Sequence, residues 1–196
     1  MNNPIIAIEG MSFSGKTTLI NLLSNHDFEL VPELATFNDN KKSFSPLPTN
    51  INDALESDDW FQKKEEKRCK LALEKQIDKK VIVDRWFISS TGYIFARDVL
   101  LSYNTLEYQF EGIKKRMNKG SLFLPYFVYL DVDTDTVKKR HLDPRKQYGG
   151  FELNGSLMVE PYKDDFFALQ KYFYDLFAEI YSQRVLKLSS SNLNTV

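Results

Sequence analysis

The chain has 196 residues, 42% of them hydrophobic and 27% charged, which is material for one sizeable core in about one domain and excludes a wholly disordered chain. Lys and Arg number 26 against 27 Asp and Glu, a net charge of -1; such a balance argues against a general grip on a nucleic-acid polymer but leaves room for a local basic site. A single cysteine, Cys69, cannot close an internal disulfide, the longest apolar run is far shorter than the ~20 residues of a membrane helix, and the N-terminal residues lack the basic stretch of a signal peptide, so a reducing cytoplasmic setting is expected.

Residues 5–9 form a short apolar run suited to a buried strand, and 16–23 carry apolar residues at helical spacing after a glycine-containing turn. A second strand is expected at 28–33, a loop rich in Asn, Ser and Pro at 38–52, and a helix at 53–77. Its charged centre, Lys63-Lys64-Glu65-Glu66-Lys67-Arg68, reads as a solvated face. Residues 81–84 read as a strand buried on both faces, 86–101 and 103–119 as two helices, and 127–131 as a fourth strand. A short helix at 134–141 leads to a loop over 142–161 with Pro144, Gly149, Gly150 and Gly155. An amphipathic helix at 162–182, with Phe166, Phe173 and Phe177 on its apolar stripe, precedes a last strand at 185–188 and a polar tail. Strands alternating with helices predict an α/β fold with a mostly parallel five-stranded sheet in a three-layer αβα sandwich, and one domain over 1–196.

Gly10-Met11-Ser12-Phe13-Ser14-Gly15-Lys16-Thr17 matches G-x-x-x-x-G-K-[ST] between a strand and a helix, the context expected of a P-loop. Gly10 and Gly15 let the backbone turn its N–H groups onto phosphate oxygens, and the helix starting near Lys16 adds its positive dipole end. Lys16 would bridge the β- and γ-phosphates and the Thr17 hydroxyl would hold Mg²⁺, with Ser12, Ser14 and Thr18 completing the ATP contacts. A guanine-reading Asn-Lys-x-Asp is missing, since Asn118-Lys119 runs into Gly120-Ser121, and Asp84 is followed by Arg85-Trp86-Phe87 rather than by D-x-x-G. A small kinase remains the best class.

Ile6-Ala7-Ile8-Glu9-Gly10 with Thr17-Thr18 resembles the opening of the thymidylate kinases and the related deoxynucleoside kinases. Asp84-Arg85-Trp86-Phe87-Ile88-Ser89, with Tyr93 beyond it, resembles their D/E-R-[YS]-x-x-S segment. Tyr129-Leu130-Asp131-Val132 and the basic helix after it resemble the approach to their LID, here about 141–160. The resemblance implies a P-loop kinase fold, Asp84 on the metal with Thr17, Arg85 on the moving phosphoryl or the acceptor, and Arg140 and Arg145 as LID arginines. The acceptor region departs from both groups. Val31-Pro32-Glu33 resembles the deoxynucleoside kinase segment whose Glu takes the proton from the acceptor's 5′-hydroxyl, a task that suits a carboxylate at a strand end. The thymidylate kinase Arg before this Glu is Pro32 here, for which Arg68 could substitute, and Phe61-Gln62 resembles a pair whose Gln reads the base. Asp84 to Ser89 to Tyr93 keeps the thymidylate kinase spacing. The expected activity is therefore ATP- and Mg²⁺-dependent phosphorylation of a small acceptor, a (deoxy)nucleoside or its monophosphate. The alternatives are a thymidylate kinase proper, or a regulatory P-loop nucleotide-binding protein without a dedicated acceptor. The related kinases are commonly dimers, so a homodimer is a further expectation.

Overall fold

The computed structural model describes residues 3–23, 26–34, 48–141 and 163–191. The expected LID over 142–160, including Arg145, lies outside the described residues.

Five strands, β1 (Ile5–Glu9), β2 (Phe28–Val31), β3 (Lys80–Asp84), β4 (Tyr126–Asp131) and β5 (Val185–Ser189), form one sheet in the order β2-β3-β1-β4-β5. Every neighbouring pair is parallel. The helices are α1 (Lys16–Leu23), α2 (Ile51–Lys75), α3 (Phe87–Leu101), α4 (Leu106–Asn118), α5 (Thr134–His141) and α6 (Lys163–Ile180). Because side chains alternate along a strand, Ile8, Ile82 and Leu130 meet Ile20 of α1 on one face. Ala7, Val81, Val83, Phe127 and Tyr129 meet residues of α2, α3, α4 and α6 on the other. That is the expected three-layer α/β arrangement around a parallel five-stranded sheet. No helix among the described residues is long and apolar enough to cross a membrane.

Element ends follow local chemistry that periodicity does not show. The α2 helix starts at Ile51 rather than at Asp53, because the Asn50 side chain accepts hydrogen bonds from the Asn52 and Asp53 amides at 2.9 and 3.0 Å. The α4 helix starts at Leu106 rather than at Tyr103. Its cap comes from a neighbouring helix: Asp98 Oδ2 accepts from the Thr105 and Leu106 amides at 2.6 and 2.8 Å. Strand β2 stops at Val31, before Pro32, which has no N–H to pair. Where α3 meets α6, an added Cβ at Gly92 would lie 3.0 Å from the Phe173 ring, so the small residue sets the approach of the two helices.

The charged centre of α2 corrects the sequence reading. Lys63, Glu66 and Lys67 are exposed, but Lys64, Glu65 and Arg68 are buried. These three recur at i, i+1 and i+4, one helical face, and that face turns inward over the carboxyl ends of β2 and β3.

The parallel register brings Glu9, Asp84 and Val31 to the same edge of the sheet. Between β1 and β4 the strand order reverses, the place where open α/β sheets offer a crevice.

Candidate active site

At that edge the chain leaves β1 through Gly10 at φ +141 and enters α1 through Gly15 at φ +98. A Cβ on Gly10 would sit 2.7 Å from the Leu130 carbonyl oxygen, so only glycine fits against β4. Between them Ser14 is fully buried, its amide donating to the Met11 carbonyl at 3.3 Å, while Thr17 and Thr18 are exposed in the first turn of α1. The Lys16 ammonium folds back on the loop. It donates to the Gly10 and Met11 carbonyls at 3.0 and 2.6 Å and to Ser14 Oγ at 3.4 Å. Burial first, then the nearby Arg85 cation, push its pKa down from 10.5 to about 7.

The turn after β3 supplies the facing wall. Arg85 has a left-handed backbone, φ 60, a conformation that non-glycine residues hold only when their surroundings enforce it. From there its guanidinium donates to the Gly10 carbonyl at 3.1 Å, to Ser12 Oγ and Ser89 Oγ at 3.4 Å, and to Glu33 Oε2 at 3.2 Å. Asp84 Oδ1 is buried without a hydrogen-bond partner, and burial raises the carboxyl's pKa. A buried carboxylate oxygen without a partner suits a hard cation, which takes oxygen ligands and keeps several waters.

Glu9 was not foreseen as a site residue. It is 1% exposed. Its carboxylate accepts the Trp86 amide at 2.7 Å and the Ser89 hydroxyl, and Ser89 Oγ lies 2.8 Å from the Tyr174 hydroxyl. Burial lifts its pKa from 4.5 to about 7. The signal in the sequence was a carboxylate closing an otherwise apolar strand, which a buried position tolerates only with partners. Glu9 and Lys16 together predict a stability profile with a trough. Folded Glu9 keeps its proton from about pH 4.5 to 7 while the unfolded chain has lost it, so stability falls as pH rises through that window. Folded Lys16 has lost its proton from about pH 7 to 10.5 while the unfolded chain keeps it, so stability rises there. Thermal unfolding across pH should show that Glu9→Gln removes the decline on the acid side; a variant with the wild-type slope would contradict it.

The other expected site residues divide. Ser12, Glu33, Asp84, Arg85 and Ser89 gather with the P-loop. Tyr93 is half-buried on α3, its ring between Phe61 of α2 and Phe166 of α6 at 5.8 and 5.7 Å, and desolvation raises the phenol's pKa. Trp60, 5.4 Å from Phe61, extends this aromatic wall. Gln62 turns to α4, donating to Gln109 Oε1 at 3.1 Å. Arg68 has every nitrogen engaged, on Glu65 and on the carbonyls of Pro32, Asp84 and Arg85. Arg140 reaches the P-loop from α5, donating to the Phe13 carbonyl at 3.0 Å and to the Ser190 carbonyl at 2.6 Å.

A tight glycine-bounded loop that carries a buried lysine and is faced by the Arg85 guanidinium suits the binding of a phosphoryl group. It puts the chain in the class of P-loop kinases. The model of the family described as deoxynucleoside kinase matches residues 6–149. The chain belongs to that family and is a nucleoside or nucleotide kinase, a phosphotransferase. Solved structures agree in fold at low identity. Deoxyadenosine kinase from M. mycoides with bound dATP is 16% identical with a TM-score of 0.65, over 95% of this chain and 91% of that one. Thymidylate kinase from Candida albicans is 15% identical with a TM-score of 0.64, over 98% and 86%. Thymidylate kinase from Ehrlichia chaffeensis is 14% identical with a TM-score of 0.61, over 98% and 93%. No curated protein matches the chain by sequence.

Proposed function

We propose that the protein transfers the γ-phosphoryl group of ATP to the 5′-hydroxyl of a (deoxy)nucleoside, with Glu33 as general base. The observation that carries this reading is the pairing of Glu33 with Arg85 at 3.2 Å, beside the P-loop. Glu33 takes the hydroxyl proton as the oxygen attacks. Arg85 faces the transferring group and offsets its charge, while Lys16 and the loop amides hold the β- and γ-phosphates. Thr17 and Asp84 would hold Mg²⁺, which when bound neutralises charge on those phosphates. Arg140, braced on Phe13, keeps the loop in shape against the nucleotide, and Arg145 belongs to the LID of this reading. The engagement of Arg68 favours a neutral acceptor, because the cation that could have replaced an arginine at Pro32 is held in the scaffold. The aromatic wall of Phe61 and Tyr93 suits a flat base.

The test is ADP release from Mg·ATP with deoxynucleosides, with their monophosphates, and with no acceptor. Stimulation by an uncharged nucleoside is expected. Stimulation by monophosphates alone would overturn the nucleoside reading in favour of thymidylate kinase activity, and no stimulation by either would overturn the acceptor class.

A further inference from the structure

We propose that Arg68 is a positioning residue that locks the loop carrying Glu33 and the turn carrying Asp84 and Arg85 in one register; this rests on the kinase reading above. Arg68 is 0% exposed on α2. Its Nε donates to the Pro32 carbonyl at 3.0 Å, and its Nη2 donates to the Asp84 and Arg85 carbonyls at 2.7 and 2.6 Å. Its Nη1 meets both Glu65 carboxylate oxygens, at 3.0 and 2.9 Å. One planar fork thus spans the ends of β2 and β3, one residue away from the proposed base and directly on the residues that face the phosphates.

The opposite side of the turn is held by the opposite charge. The amide that follows, on Trp86, donates to buried Glu9 at 2.7 Å. A guanidinium on the carbonyls and a carboxylate on the next amide together enforce the left-handed backbone of Arg85, φ 60. That backbone aims the Arg85 side chain at Glu33 and at the Gly10 carbonyl. A simple partner for Glu65 could be a lysine. Three carbonyls on two loops need the fork, which an ammonium on a flexible stem does not reproduce.

Two variants test this. Arg68→Lys keeps the charge opposite Glu65. The pair Arg68→Met with Glu65→Leu removes both charges, so that no buried carboxylate is left alone. Both are expected to fold and to keep the KM for ATP. Turnover is expected to fall on the order of 100-fold in each, the scale of a small misplacement of reacting groups. Amide exchange, followed without any substrate, is expected to accelerate in 33–34 and 84–89 and to stay unchanged in α4 and α6. Wild-type turnover in either variant would overturn the proposal, as would unchanged exchange in the two segments. A rise in the acceptor KM alone would return Arg68 to the acceptor site and overturn it too. If no acceptor stimulates the wild type, the kinase reading fails on its own and the exchange measurement still decides the role of Arg68.

Discussion

Lys16→Ala is expected to leave a folded protein whose ADP release with acceptor is lower by a factor on the order of 100 or more, the loss seen when a single charge-stabilising donor is removed from a transition state. The fold is expected to survive because the ammonium is costly where it sits. It is buried, its pKa is pushed down to about 7, and it donates to carbonyls of the loop itself. Phosphate oxygens would add negative charge beside it and favour its protonated form. The same substitution should flatten the rise in stability above about pH 7, since that rise comes from Lys16. Thermal unfolding and steady-state rates on one preparation separate the two effects. Undiminished turnover would remove Lys16 from the chemistry.

Glu33→Gln should lower turnover about 10²–10⁴-fold, the range for loss of a general base, with the KM for ATP little changed. Gln keeps an oxygen that can accept from Arg85 Nε, which the carboxylate holds at 3.2 Å, so the arginine should stay in place. What is lost is the ability to take a proton. The split between kcat and KM is therefore the decisive readout. A parallel loss of turnover and ATP binding would mean that Glu33 acts by holding Arg85, and the base would have to be sought elsewhere.

The residues that define the phosphate site were legible because their spacing encodes the shape of the loop itself. Gly10, Gly15, Lys16 and Thr17 lie within one short loop and the start of α1, and no distant partner has to be known. Asp84 and Arg85 were legible as a strand end followed by a turn. Arg68 was not, because its role depends on which carbonyls end up across from it. Pro32 lies 36 residues away, and Asp84 lies 16. A helix full of charges does not show which of them faces inward, so Lys64, Glu65 and Arg68 looked like the solvated residues beside them. The partner of Gln62 was not legible for a related reason: a neighbour of Phe61 in sequence points about a hundred degrees away around the helix, here to Gln109. Glu9 is the instructive omission. A carboxylate at the end of Ile5-Ile6-Ala7-Ile8 is a conflict in a buried strand, and such conflicts mark functional or strained places.

The sheet order has a consequence for how the protein is made. Strand β1 is the centre of the sheet, yet both of its neighbours come much later in the chain, β3 at Lys80–Asp84 and β4 at Tyr126–Asp131. At synthesis rates of about 5–20 residues per second, β1 precedes β3 by roughly 4–15 s. During that interval a strand of sequence Ile-Ile-Ala-Ile-Glu has neither edge paired. The P-loop waits longer still, since Gly10 packs on Leu130 and the Phe13 carbonyl is held by Arg140. A nascent chain of this protein thus displays an apolar strand before the segments that pair with it and brace its P-loop exist, so binding of ATP cannot protect that strand during the interval.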